Sequence, residues 1–278
     1  MNKEINIDPK TVDGFGDEWV RFDQSELSEK EHRELFDNYF SIFPWHLLPK
    51  DAVGFDAGCG TGRWAKVVAQ RVERLHCIEP SAALDISRKN LMQYDNCEFH
   101  STSIDEMSIE EGSMDFGYSL GVLHHIPDTQ AGIEACVQKL KIGAPLLLYL
   151  YYAFDNRPRW FQTVWRLSNI FRSVISSCPY GLRYFFSQVI ASLIYFPVSR
   201  FSWVMEKTGF NVNNIPLSAY RKLSFYTMRT DALDRFGTRL EKRFSREQIK
   251  AMMEKAGLER VKFSENIPFW CAVGYRRQ

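Results

Sequence analysis

From residue 52 onward the chain alternates two patterns: short apolar runs stopped by glycine or proline, and stretches whose apolar residues recur every three to four positions. "AVGFDAG" is the first run, and "RWAKVVAQRV" after it has helical spacing. "RLHCIEP" predicts a strand closed by Pro80, and "SAALDISRKNLMQY" a helix with Ser81 placed to cap it. "CEFHSTS" and "MDFGYSL" read as further strands, with a helix over "DTQAGIEACVQKLK" that stops near Gly143. "APLLLYLYYAF" is continuously apolar, as a strand buried on both faces should be. At the far end "FSREQIKAMMEKAGL" carries a Ser245-x-x-Gln248 capping box and a Gly257 stop, followed by the strand-like "ERVKFSE" and "FWCAVGYRR". Alternation of this kind predicts an α/β fold, a mostly parallel sheet covered by helices on both faces.

Roughly 155–244 breaks the alternation. The division expected is therefore an N-terminal helical or lid segment at 1–50, a sheet domain at 51–154 and 245–278, and an inserted helical cap at 155–244. Within the insertion Trp160, Val164, Leu167, Phe171 and Val174 share one helical face; Leu182, Phe186, Val189, Leu193 and Phe196 share another. Pro179-Tyr180-Gly181 separates the two helices and Pro197 is expected to end the second. Between Arg157 and Met205 there are six arginines, no lysine and no acid. Such a segment suits either a cap whose apolar faces pack on the domain, the favoured expectation, or peripheral contact of 157–205 with an anionic membrane. Its longest uncharged run is too short and too polar to span a bilayer.

Composition changes the picture little. With 278 residues, 25% of them charged, and a net charge of +1, no acidic or nucleic-acid partner is called for. The six cysteines are scattered, without a C-x-x-C pair or a histidine at metal spacing, so neither disulfides nor a metal are expected. The start "MNKEINIDPK" lacks the apolar core of a secretory signal. The expected location is the cytoplasm, with the inner face of the membrane as the variant that the insertion allows.

The chemistry is carried by "FDAGCGTG". Gly58, Gly60 and Gly62 alternate around Cys59 and Thr61, and Asp56 precedes the first by two residues. A dinucleotide loop has a longer last gap, and a carboxylate beside a pyrophosphate is repulsive, whereas beside an ammonium group it is favourable. Glu79 ends the next strand, 21 positions after Gly58, where a carboxylate can accept from both hydroxyls of a ribose. A ligand with adenosine at one end and an amino acid at the other satisfies both acids; S-adenosylmethionine is such a ligand.

On "FDAGCGTG", "IEPS", "SMDFGYSLGVLHHIPD" and "LKIGAPLLLY" the chain resembles the class I S-adenosylmethionine-dependent methyltransferases, over about 52–153 and again 245–278. The resemblance implies a Rossmann-like sheet closed by a C-terminal antiparallel hairpin. It places Asp56, Gly58, Cys59, Gly60 and Gly62 at the methionine and ribose end, Glu79 on the ribose, Pro80 beside adenine and the backbone of Leu120 at the methionine moiety. The adenine-binding acid of many members falls at Ser103, with Ile104 next and Asp105 two positions further on. His124 and His125 follow the fourth strand, where a histidine can act as general base; His125 is the slightly preferred of the two.

The aromatic segment around Phe15, Trp19 and Phe22 reads either as a lid, with Trp19 toward the cofactor, or as a staple onto the following helix. Tyr226, Arg229 and Asp231 are the candidates for acceptor contacts. The function expected is methyl transfer from S-adenosylmethionine, leaving S-adenosylhomocysteine, to a small or lipid-like acceptor at oxygen or nitrogen. A non-catalytic protein that kept the fold is the alternative. A nicotinamide oxidoreductase is a weaker one, since no tyrosine has a lysine four residues on.

Overall fold

A computed structural model describes residues 6–278. Helices α1 (Pro9–Arg21) and α2 (Glu29–Tyr39) precede β1 (Val53–Ala57). There follow α3 (Ala65–Val68), β2 (Arg74–Ile78), α4 (Ala83–Asn90), β3 (Cys97–His100), β4 (Phe116–Leu120), α5 (Thr129–Lys139) and β5 (Pro145–Tyr149). Four consecutive helices come next: α6 (Arg159–Ile175), α7 (Tyr180–Ile190), α8 (Phe196–Lys207) and α9 (Phe225–Gly237). The chain closes with α10 (Arg246–Lys255), β6 (Leu258–Phe263) and β7 (Cys271–Arg276).

The seven strands form one sheet in the order β3-β2-β1-β4-β5-β7-β6, parallel as far as β5 and antiparallel at β7 and β6. This is the Rossmann-like class I sheet. Its strand order reverses at β1, so a crevice opens where β1 and β4 end. The register there is held by a reciprocal fit. Phe55 pairs with Gly117 and Gly54 with Phe116. A Cβ on Gly117 would lie 2.2 Å from the Phe55 ring, and one on Gly54 2.3 Å from the Phe116 ring. Each phenyl fills the space its partner glycine leaves. Phe55 faces a core layer with Ile78, Ile133 and Leu146, while Phe116 faces one with Phe36, Leu75 and Leu147. At the return to the sheet, the capping box of Ser245 and Gln248 is present, and Gly257 adopts φ +93° just past α10.

The chain divides into two compact units. One comprises the chain up to Asp23, His32–Ala153 and Leu240–Gln278; the other comprises Gln24–Glu31 and Phe154–Arg239. In the second unit α9 is the buried element, and Met228, Ala232 and Phe236 pack with Ile175, Ala191 and Tyr195. Two findings there differ from the sequence reading. Pro197 does not end its helix: a π turn over Ala191–Tyr195 leads straight into α8, and the wider turn relieves the clash a proline makes with the carbonyl one turn earlier. The apolar faces of the insertion are not covered either. Trp160, Leu167, Phe171 and Leu193 are 52, 56, 66 and 71% exposed.

Candidate functional site

The loop after β1 needs its glycines. Gly58, Gly60 and Gly62 have φ of +86°, +52° and +77°, the left-handed region that side chains disfavour. Space is as tight as conformation, for a Cβ on Gly58 would lie 2.5 Å from the Val122 methyls. The loop is anchored from β2, where Gly58 N and Cys59 N both donate to the Ile78 carbonyl. Glu79, next in the chain, accepts from Gly60 N through Oε2 at 3.1 Å and from Ser81 N through Oε1 at 3.0 Å. Burial raises its pKa, and the Ser81 and Gly60 hydrogen bonds oppose the rise. Two fixed donors orient the carboxylate, and each oxygen keeps acceptor capacity for a ligand hydroxyl.

A cleft opens over this loop, wholly within the first unit. The structure brings Trp19, Gly58, Cys59, Gly60, Glu79, Pro80, Ser103, Ile104, Leu120 and His125 to its wall. Ser103 is 4% exposed, its hydroxyl 3.4 Å from Glu106 Oε2, while the neighbouring Asp105 accepts from Asn6 N at 3.1 Å. Asp56, Gly62 and His124 do not reach the wall. A Cβ on Gly62 would meet Ser87 Oγ at 2.7 Å, so this glycine serves close packing of the loop onto α4.

Asp56 lies beneath the loop, 1% exposed. Desolvation pushes its pKa up to about 8, the neighbouring Tyr118 hydroxyl working against the shift and the Glu79 charge adding to it. Its Oδ2 has no hydrogen-bond donor at ordinary distance among the described residues. A buried acceptor of this kind, one layer behind the glycine loop, fits a site that receives a cation or a donor with its ligand.

The two histidines part company. His124 is fully buried, its ring stacked 3.8 Å from Tyr151 and 3.9 Å from His125, and desolvation, His125 and Arg243 hold its pKa well below the usual imidazole range. It packs as a neutral ring and does not line the cleft. His125 lines the cleft. Its Nδ1 is 2.7 Å from the Leu240 carbonyl, which can only accept, so Nδ1 carries the proton and Nε2 is the basic nitrogen.

The N-terminal segment completes the wall. Phe15 meets the His125 ring edge-on at 4.9 Å, and Trp19 lies over the glycine loop. Upstream, Asn6 forms a two-way clasp: its Nδ2 donates to the Asp128 carbonyl and its Oδ1 accepts from Asp128 N, both at 2.7 Å. Asn6, Thr11, Val12, Arg63 and Trp64 also line the cleft, and sequence reasoning missed them. The acceptor candidates lie elsewhere, on α9 in the second unit. Tyr226 is buried, its hydroxyl accepting from Gln24 N; Arg229 is held by Gln188 Oε1 at 2.6 Å and Tyr184 hydroxyl at 3.0 Å; Asp231 is half-buried.

Away from the cleft, His76, Glu98 and His100 converge across β2 and β3, with His76 Nδ1 3.0 Å from His100 Nε2 and 3.3 Å from Glu98 Oε2. Arg74 also pairs with Glu98, at 3.0 Å, and the group reads as an ion-pair and hydrogen-bond network at the sheet edge.

Residues 55–148 match the family described as a methyltransferase domain. No curated protein matches the sequence significantly. Among solved structures, a chain from the Haloferax volcanii complex that contains the Trm112 methyltransferase activator is similar over 96% of this chain and 99% of its own, at 13% identity and a TM-score of 0.55. An O-methyltransferase family protein from Burkholderia thailandensis is similar over 95% of this chain and 59% of its own, at 15% identity and a TM-score of 0.54. At such identities these likenesses speak for the fold. Together with the matched domain, the sheet order and the acid–glycine–acid motif of the sequence, they identify the first unit as a class I methyltransferase domain whose cofactor is S-adenosylmethionine.

Proposed function

We propose that this chain transfers the methyl group of S-adenosylmethionine to a small, lipophilic acceptor at oxygen or nitrogen, working in the cytoplasm or at the inner face of the membrane. The observation that carries the reading is His125: a histidine at the cleft wall whose tautomer is fixed with Nε2 basic, beside the loop that binds the cofactor. The cofactor supplies an already activated methyl group, so the chain's task is alignment, exclusion of water and removal of the acceptor's proton.

Glu79 holds the ribose hydroxyls, while Pro80, Ser103 and Ile104 flank the adenine. Asp56, protonated beneath the loop in the cofactor-free protein, ionises when the ammonium end arrives and then faces it with negative charge, and Trp19 and Phe15 close the cleft from above. His125 takes the acceptor proton at Nε2, and the Leu240 carbonyl stabilises the resulting imidazolium through Nδ1–H. Ile7, Val12, Val122 and Ile126 give that end of the cleft an apolar lining, which supports an apolar acceptor over a nucleic acid or a protein segment. Tyr226, Arg229 and Asp231 remain the proposed acceptor contacts.

Titration with S-adenosylhomocysteine, followed by transfer of tritiated methyl from S-adenosylmethionine into organic-extractable and aqueous small-molecule fractions, tests this. Binding together with incorporation is expected, and His125→Gln should lower incorporation about 100-fold or more while the protein still binds S-adenosylhomocysteine. Binding without incorporation into any fraction would favour the non-catalytic alternative. Full incorporation by His125→Gln would remove the base.

A further inference from the structure

We propose that the outer faces of α6, α7 and α8 form a docking surface for an anionic lipid bilayer, on which the second unit lies in the plane of the interface without crossing it. The inference deepens the proposed lipophilic acceptor and rests on that reading. Of the 23 exposed large hydrophobic side chains among the described residues, eighteen belong to the second unit, which is about a third of the chain. On α6 they run as a stripe, Trp160, Val164, Leu167, Phe171 and Val174, each 49% exposed or more. Phe185, Leu193 and Ile194 continue the pattern at 57, 71 and 50%, and Phe201 and Val204 on α8 at 56 and 51%. Water-facing helices of a monomer rarely expose so many large apolar side chains. No described helix is long and apolar enough to cross a membrane, so these helices lie on it or against something else.

Charge selects the occupant. No acid occurs from Arg157 to Met205. Of the six arginines there, four are turned inward: Arg157, Arg172, Arg183 and Arg200 donate to the carbonyls of Asn213, Thr238, Gly237 and Arg221. The two exposed ones, Arg159 and Arg166, are seven residues apart on α6 and so lie on one side of its stripe. Aromatic and aliphatic side chains edged by uncompensated arginine fit an interface of apolar tails beneath anionic headgroups. A second copy of this face would bring arginine against arginine across a two-fold axis with no acid to pair it.

The test is flotation of the full-length protein with vesicles of phosphatidylcholine alone or with 30% phosphatidylglycerol, with S-adenosylhomocysteine affinity measured on every sample. Binding to the anionic vesicles is expected, weakened by salt. Leu167→Asp/Phe171→Asp/Leu193→Asp should lose it more than tenfold, and Arg159→Ala/Arg166→Ala should lose about 25-fold at low salt. Both variants should keep the parental helical circular dichroism and S-adenosylhomocysteine affinity, because every altered side chain is exposed in the second unit. No flotation with the nucleoside affinity intact overturns the docking surface and leaves the methyltransferase reading standing. A dimer by light scattering that the triple aspartate variant dissociates would assign the face to a second copy instead. Equal binding to both vesicle types would overturn the commitment to anionic lipid. Loss of nucleoside binding by the unaltered protein would count against the methyltransferase reading alone.

Discussion

Two buried acids set the behaviour of the cleft, and only one of them was fully readable beforehand. The spacing of Glu79 from the glycine loop placed it at the wall, where it is. Asp56 was expected there too, but strand alternation says which face a side chain takes and not how far a loop covers it; the loop covers it almost completely. The consequence is a pH dependence. Folding raises the Asp56 pKa from the ordinary value of 3.8 to about 8, so between those limits the folded chain holds a proton that the unfolded chain has released. The stability this contributes is full below the lower limit, falls as pH rises through the window, and levels off above about 8, with a slope of at most about 1.4 kcal/mol per pH unit. Urea unfolding of the cofactor-free protein at pH 5, 6, 7 and 8 should show that decline, and Asp56→Asn should flatten it. An undiminished slope in the variant would mean the carboxyl is already ionised at neutral pH. Glu79→Ala removes acceptors that would make charge-assisted bonds to two hydroxyls, and a loss of about 1.5–3 kcal/mol, or roughly 10- to 100-fold in S-adenosylhomocysteine affinity, is expected by calorimetry.

At the scale of elements, the strands and the helices between them followed from the sequence because apolar runs and glycine stops are local signals. The start of the chain was half readable. Phe15 and Trp19 announced an aromatic element, and the structure puts both on the cleft, with α1 packed against α4. Nothing in "NID" marked Asn6 as a clasp, since its partner Asp128 is 122 positions away and a long-range pairing leaves no periodic trace. Pro197 misled for the opposite reason. The local rule for proline is sound, but a π turn in front of it satisfies the rule without breaking the helix. If the clasp holds the N-terminal segment over the cofactor, Asn6→Ala should speed S-adenosylhomocysteine dissociation more than it slows association. Stopped-flow traces would show it, with about fivefold expected for one or two exposed hydrogen bonds lost. An unchanged off-rate would make the segment a fixed wall and not a strap.

For the molecule as a whole, the division into two units has a thermodynamic reading. The sheet unit carries two buried clusters, one on each face of the sheet. The helical unit has its own, smaller cluster around Met228, Ala232 and Phe236, while eighteen of its large apolar side chains stay in water. Periodicity had identified those helical faces correctly; what it could not supply is whether anything covers them, because a covered and an uncovered stripe have the same spacing. Separate cores of unequal size predict separate unfolding events. The cleft is confined to the sheet unit, so a nucleoside ligand bound there stabilises that unit directly. At 100 times its dissociation constant, S-adenosylhomocysteine adds about 2.7 kcal/mol, which for a domain of that size corresponds to a shift of roughly 5–10 °C. Scanning calorimetry should therefore resolve two transitions, with the larger moving by that amount as ligand is added and the smaller staying in place. Anionic vesicles should do the reverse, moving the smaller transition and leaving the larger. One transition that moves as a whole under either ligand would show that the two units unfold together, with the stability of one carried by the other.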